Sequence, residues 1–438
     1  MSIQQMFKGI RFCPPSVSPP TELPPPRKVL LALVQHAGQV CEPLVEEGQK
    51  VVAGEAVAKD AQSGQPAVFA SLAGTVEGLV QTCDPAGSQV QAVAIVADGE
   101  QEAAEPALPV VAAAELAEMK PGEVLARLDA AGLHLTPSCG PRRYISMNGI
   151  ENIRGIHTLL IKAVDADPPV MPNQAALYAS GQELELGIKA LQQATGAEGV
   201  MIAVPKGGSS PELEEMARDN RWQLAPVPAG AFPYATDNLL IKTLTGREVA
   251  TPDGDPRDVG VVIQPLRTAL AVGATLSSGR PVTHQIVTVA GDVASPQSFR
   301  VPLGTPISEL IQEAGGLAGE PGKVILGGPM MGWAQYDLSA PVTFATDGVF
   351  VQSAANLAKY RNHPCIHCGR CVRVCPVNLV PNDLGKLCEF GQYDVAAERD
   401  LFHCIECGCC AYVCPAKRPL VQLMRLGKHE VLAMGMES

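Results

Sequence analysis

Short apolar runs set between glycine turns give residues 27–100 their pattern. Residues 28–33 read as one strand, and residues 45–55 as strand, turn and strand with Gly48 and Gly54 at the turns. Residues 70–76 repeat that pattern. Residues 121–283 alternate differently. Residues 159–161, 200–204 and 259–263 are continuous apolar runs of the buried-strand kind. Between them, residues 211–221 have helical spacing, with Leu213 and Met216 apolar among acids. This alternation predicts an α/β layer fold. Residues 284–340 open with a strand over 286–291, continue with a helix over 306–314 closed by Gly315 and Gly316, and end with a strand over 323–328. Residues 420–436 are again helical in spacing and are expected to pack on what precedes them.

These patterns divide the chain. Residues 1–26 form a proline-rich arm, extended because proline runs favour polyproline geometry and remove amide donors. Residues 27–100 form a β module and residues 101–120 an Ala-, Glu- and Pro-rich linker. Residues 121–283 form the α/β domain, 284–340 a small mixed module, 363–425 a cysteine-rich domain and 426–438 a tail.

At 438 residues, 46 % hydrophobic and 18 % charged, the chain has ample material for several packed cores. Aromatics are only 4 %, so Ala, Val, Leu and Ile must fill them. A net charge of −12 argues against nucleic acid as a partner, because phosphate binding needs a basic footprint. No apolar run reaches the length of a membrane span, and residues 1–8 lack the apolar core of a signal peptide. A cytoplasmic location is expected, with thiols reduced.

Ten of the 14 cysteines lie between Cys365 and Cys414, where a disulfide framework is not expected and metal is. They form two runs, Cys365-x₂-Cys368-x₂-Cys371-x₃-Cys375-Pro376 and Cys404-x₂-Cys407-x₂-Cys410-x₃-Cys414-Pro415. Each run has the spacing of a bacterial ferredoxin [4Fe–4S] motif. The tight loop wraps three thiolates around one side of a cubane and aims amides at its sulfurs. The fourth cysteine leads the chain away. Zinc sites use paired C-x₂-C knuckles instead. In two-cluster proteins the fourth cysteine serves the other cluster. The expected sets are therefore Cys365, Cys368, Cys371 and Cys414 for one cluster, and Cys404, Cys407, Cys410 and Cys375 for the other. Cys409 and Cys388 are expected to be core residues. His363, His367 and His403 are expected to pack or to tune potential.

Several passages carry resemblances. Residues 27–100 resemble a lipoyl- or biotinyl-type barrel-sandwich domain, but the tip at 60–65 has no lysine and Lys59 lies just before it. The module is therefore read as structural. Residues 284–340 look like a β-grasp (SLBB-like) module. Taken with the dicluster segment, the order of modules resembles the RnfC subunit of Rnf-type electron-transport complexes. Matching passages include residues 43–48, 244–249, 258–262, 301–306 and 327–332. The resemblance implies an α/β multidomain chain: a barrel-sandwich β module, an α/β domain like the flavoprotein subunit of complex I, a β-grasp module and a C-terminal dicluster ferredoxin-like domain.

The resemblance also implies FMN and NADH binding in the middle domain, where a Gly-Gly-x-Gly-Phe-Pro loop lets the backbone approach phosphate. The matching place, residues 131–143, lacks those glycines. The acidic strand end survives only as residues 162–168, and a Gly-Gly-Glu run is replaced by Ala235-Thr236-Asp237. These three departures argue against a working FMN/NADH site. Arg142 and Arg143 beside Cys139 are read as a loop that refilled the pocket, and Met330 and Met331 as core. The expected function is an electron-transfer subunit carrying two [4Fe–4S] clusters, peripheral on the inner face of the cell membrane. Its expected partners are membrane-embedded Rnf-like subunits and a redox protein. The alternatives are an FMN-containing, NADH-oxidising subunit and a soluble reductase of the same architecture. A structural adaptor with vestigial clusters is disfavoured by two intact motifs.

Overall fold

The computed structural model describes residues 8–435 except 14, 36–38, 62–63, 85–86, 100, 103, 134–154, 180, 252–253 and 358–362. Two four-stranded sheets make the barrel sandwich. One joins Lys28–Ala32, Gln89–Ala97, Gly74–Cys83 and Lys50–Val51, and the other runs from Val34–Gln35 through Gln39–Pro43 and Ala56–Asp60 to Pro66–Phe69. Alternation decides the packing of the first strand. Val29 and Leu31 enter the core between the sheets, while Leu30 points the other way onto Ala92 and Ala94. Lys59 sits within its strand and pairs with Glu42 at 3.3 Å, so it is not displayed at the tip.

The stretch expected as a linker is held on both sides. On the barrel side, the Ala53 amide donates to the Glu102 carbonyl at 3.0 Å and the Ala53 carbonyl accepts from Ala104 at 2.8 Å. On the other, the amide of Val111 donates to the Leu276 carbonyl at 2.8 Å. Val111, Leu116 and Met119 are buried in the α/β core. Three apolar side chains are enough to dock a segment whose composition is otherwise that of a spacer.

The α/β domain has a parallel sheet in the order Gln223–Val227, Gly199–Pro205, Thr158–Lys162, Val261–Pro265. Helices Gly181–Thr195 and Leu266–Ser278 meet at a pair of glycines. A Cβ at Gly187 would stand 1.8 Å from the Ala269 carbonyl oxygen, and one at Gly273 1.7 Å from that of Glu183. Only glycine allows this approach.

The β-grasp sheet has six strands, in the order Trp333–Gln335, Pro321–Leu326, Gly348–Ser353, His284–Gly291, Gln297–Pro302, Thr21–Glu22. It takes in strands from both sides of the expected 284–340. Gly348–Ser353 is a central strand, and Thr21–Glu22 comes from the proline-rich arm. The arm also pairs Ile10–Arg11 with Ala231–Phe232 and buries Leu23 in the β-grasp core.

The C-terminal domain is helical: Arg370–Val374, Pro381–Glu389, Tyr393–Glu398, Cys409–Tyr412 and Leu420–Ala433. Leu384, Leu387, Cys388, Ala396, Leu401 and Met424 form its core. Gly427 lets the last helix close onto Cys388, as a Cβ there would lie 2.4 Å from that sulfur. Among the described residues no helix is long and apolar enough to cross a membrane.

Candidate iron–sulfur centre

The two cysteine runs share one backbone path. Each position in the first recurs 39 residues later, from Cys365 at Cys404 to Cys375 at Cys414. The left-handed residues recur at the same offset: His367 (φ 55°) with Glu406 (56°), Gly369 (70°) with Gly408 (80°), and Asn378 (61°) with Lys417 (52°). Four of these six are not glycine, and a left-handed non-glycine residue is uncommon and costly. At His367 and Glu406 the residue's own amide turns back over the loop. The N–H of His367 lies 3.4 Å from the Cys365 sulfur, and the N–H of Glu406 lies 3.4 Å from that of Cys404. The repeat of loop geometry is legible in the spacing of the sequence. The handedness at His367 and Glu406 is not, because neither residue type calls for it.

Each run has two buried cysteines, Cys371 and Cys375 in the first and Cys407 and Cys410 in the second, and only Cys368 is exposed. Cys407 and Cys410 are each 8 % exposed, and Cys375, from the first run, is 7 % exposed. Cys365, Cys404 and Cys414 are half-buried. Cys375 lies within electrostatic reach of Cys407 and Cys410, and Cys410 within that of Cys404, while Cys371 feels Cys365. Burial pushes the thiols of Cys371, Cys375, Cys404 and Cys410 up, that of Cys404 to about 12. Buried thiols that resist ionisation on their own suit a metal cluster, whose positive charge supplies the missing counter-charge. Among the described residues, no three His, Cys, Asp or Glu side chains converge as ligands of one ion would. Cys409 is fully buried and hydrogen-bonds to Cys407, which holds the Cys407 thiol below its ordinary value.

The second loop is fastened to the rest of the protein. Cys407 and Cys409 pack with Ile10, Phe232, Met330 and Met331. Gly408 passes the Met330 carbonyl so closely that a Cβ would lie 3.0 Å from it. Glu406 is held by Arg425 at 2.9 Å and Lys428 at 2.8 Å. Arg425 also stacks 4.3 Å above Trp333 and donates to the Met331 carbonyl at 3.1 Å. Met330 and Met331 are half-buried, and their amides both donate to Asp167, at 2.9 and 2.6 Å. Burial pushes the Asp167 carboxyl up to about 7. Asp167 thus joins the carboxyl edge of the parallel sheet to the second loop, a role that the sequence alone does not reveal.

The first loop faces outward. Ile366 is 65 % exposed. Beside Cys414 opens a cleft of 520 Å³ lined by Lys8, Arg370, Arg373, Tyr412 and Lys417. Of the flanking histidines, His363 gives its carbonyl to Arg418 at 3.3 Å, and His403 stands 3.7 Å from Asp400.

At the carboxyl edge of the parallel sheet, Asp165 accepts the amides of Asn173 at 3.0 Å and Gln174 at 3.1 Å, and so caps helix Pro172–Ala176. Burial pushes Asp165 up to about 6 against the pull of those hydrogen bonds. Lys162 and Asp237 form a buried ion pair at 2.8 Å. Cys139, Arg142 and Arg143 lie outside the described residues.

Folded in this way, the chain is a multidomain electron-transfer protein with a dicluster domain clamped to a β-grasp sheet and a parallel α/β domain. The RnfC barrel sandwich hybrid domain model matches residues 16–100, the SLBB domain model residues 286–334, and the 4Fe-4S dicluster domain model residues 364–417. The C subunit of the ion-translocating oxidoreductase complex of Rhodobacter capsulatus is 34 % identical over 93 % of this chain and 78 % of its own length. The protein of the same name from Methanosarcina acetivorans is 32 % identical over 93 % of both. The C subunit of the Na(+)-translocating ferredoxin:NAD(+) oxidoreductase complex of Acetobacterium woodii is 29 % identical over 93 % of this chain and 92 % of its own. A chain of an air-oxidised NAD+-reducing [NiFe]-hydrogenase is similar at 17 % identity and a TM-score of 0.47, over 72 % of this chain and 65 % of that one. The chain belongs to the RnfC family, the C subunits of ion-translocating oxidoreductase complexes. Its dicluster domain is of the kind that holds two [4Fe–4S] clusters.

Proposed function

We propose that the chain relays electrons through two [4Fe–4S] clusters in a membrane-associated Rnf-like complex, without a working FMN/NADH site of its own. The outer cluster is assigned to Cys365, Cys368, Cys371 and Cys414, and the inner to Cys404, Cys407, Cys410 and Cys375. The observation that carries the reading is Cys375, which belongs to the first run but lies buried within reach of Cys407 and Cys410. When bound, each cluster supplies a one-electron acceptor and donor. The residues around the inner set exclude water and fix the loop: Phe232, Met330 and Met331 cover it, and Arg425 and Lys428 hold Glu406. The outer set is open at Cys368. The result is a short wire with one end inside the protein and one at its surface.

Two contacts support the loss of the flavin site. Asp165 takes up the amides at the start of helix Pro172–Ala176, and Lys162 is paired with Asp237, so Asp165 and Lys162 are engaged within the protein. The partners in this reading are membrane-embedded Rnf-like subunits and a protein electron carrier, with the chain peripheral on the inner face of the membrane. A second reading is favoured by the Acetobacterium woodii relative, which belongs to a ferredoxin:NAD(+) oxidoreductase complex: an FMN-containing subunit that exchanges electrons with NADH. Anaerobic purification followed by iron, acid-labile sulfide and flavin analysis separates the two. About eight iron per chain, no flavin and no bleaching by NADH is the expected result. Flavin near one per chain, bleached by NADH, establishes the second reading. Zinc in place of iron overturns both.

A further inference from the structure

Several cations of the dicluster domain are neutralised within it: Arg425 and Lys428 by Glu406, Arg418 by Glu389, and Arg399 by Asp383. Those lining the cleft beside Cys414 are not. Lys8, Arg370, Arg373 and Lys417 are all exposed, and among the described residues none of the four forms an ion pair. Two of them make hydrogen bonds that aim them without cancelling charge: Arg373 donates to the Cys368 carbonyl at 3.3 Å, and Lys8 to the side-chain oxygen of Asn378. Among the described residues no carboxylate lines the cleft. In a chain of net charge −12, four unneutralised cations around one opening make a local field opposite in sign to the whole.

We propose that this cleft is the docking face for an acidic protein carrying a one-electron centre. The inference rests on the relay reading above, since Cys414 lines the cleft and is a ligand only if that reading holds. Electron transfer falls steeply with distance, and a partner seated here stands against a ligand of the outer cluster. Tyr412, 58 % exposed, supplies an apolar centre within the basic rim, the arrangement of a specific protein contact. Four cations lining one open cleft of 520 Å³, with no carboxylate among the lining residues, suit an acidic protein surface. Charge complementarity of this kind sets partner choice and encounter rate more than final affinity. In each transfer the carrier and the outer cluster exchange one electron, the one oxidised as the other is reduced, and no proton or group moves.

The test uses the intact, cluster-loaded chain and an acidic [2Fe–2S] ferredoxin as the probe, with a basic c-type cytochrome for contrast. Binding is measured by calorimetry and electron exchange by stopped flow, between about 20 and about 500 mM salt. The expected result is ferredoxin binding that weakens at least about tenfold across that range, with the cytochrome bound worse than ferredoxin at low salt. Lys8→Glu with Arg370→Glu is expected to weaken ferredoxin binding about tenfold or more. Lys50→Glu, on the barrel sandwich, is expected to leave it within about twofold. Ferredoxin binding that ignores salt in the unmodified protein, or that responds equally to both variants, overturns the proposal. Iron content and the spectrum of the dithionite-reduced clusters are read on every sample. Full clusters with salt-insensitive binding sink the docking face alone. Missing clusters in the unmodified chain sink the relay reading as well.

Discussion

The carboxylate of Asp167 accepts the main-chain N–H of Met331 at 2.6 Å, across 164 residues of sequence. Through that bond and its neighbour at Met330, the end of a parallel strand reaches the wall of the second cysteine loop. Asp167→Ala leaves two half-buried amides without acceptors. A loss of about 1–3 kcal/mol in unfolding free energy is expected. The inner cluster should also bleach faster in air than in the parent, because its cover is loosened. Equal bleaching rates would mean that Asp167 fixes the domain interface without shielding the loop.

Crossed ligation makes an unequal prediction for two cysteines of the same run. Cys375→Ala should remove the buried cluster and Cys368→Ala the exposed one, each leaving about four iron per chain. The cluster surviving in Cys375→Ala should be the one stripped quickly by a chelator, as in Cys407→Ala. If Cys375→Ala behaves like Cys368→Ala instead, each run holds its own cluster.

Cys409 donates to the sulfur of Cys407 from a fully buried position. A hydrogen bond to a ligand sulfur stabilises the more negative, reduced cluster. Cys409→Ala should therefore lower the potential of the inner cluster by about 20–60 mV, the electrical equivalent of one ordinary hydrogen bond. The outer cluster should not move. Redox titration followed by electron paramagnetic resonance separates the two signals.

His284 begins a β-grasp strand, with Nδ1 2.8 Å from the Thr283 hydroxyl. Burial, helped by the charge of Arg300, holds its imidazole down at about 4. The neutral ring is thus the form the fold accepts. Its contribution to stability is complete above the unfolded value of about 6.5 and is lost as pH falls toward 4. At about pH 5.5, between those two values, the carbon resonances of this ring should still report a neutral imidazole. In His284→Gln, the part of the acid sensitivity that falls between them should flatten.

What can be read in advance follows from range. The eight cysteines stand at fixed local spacing, and the strands Thr158–Lys162, Gly199–Pro205 and Val261–Pro265 carry the continuous apolar runs of a covered parallel sheet. Strand Gln223–Val227 escapes the pattern, because an edge strand exposes Gln223 and Pro226 and shows no apolar run. Gly348–Ser353 falls beyond the expected end of its module because the stretch before it has no periodic pattern, although the strand itself is central. The contacts that fasten the second cysteine loop join Asp167, Phe232, Met330 and Arg425 from distant parts of the chain. None of them leaves a mark on its own neighbours in sequence.

The arm that threads Ile10–Arg11 beside Ala231–Phe232, and Thr21–Glu22 beside Gln297–Pro302, has a consequence during synthesis. These strands leave the ribosome more than 200 residues ahead of the partners that complete them. They must wait, unpaired, while the middle of the chain folds. Ile10 also belongs to the apolar wall beside Cys407, so that wall is finished only when the arm swings in. The partners of the arm, at 231–232 and 299–300, leave the ribosome before Cys404–Cys414, so the arm's share of that wall can be in place to receive the second loop as it emerges.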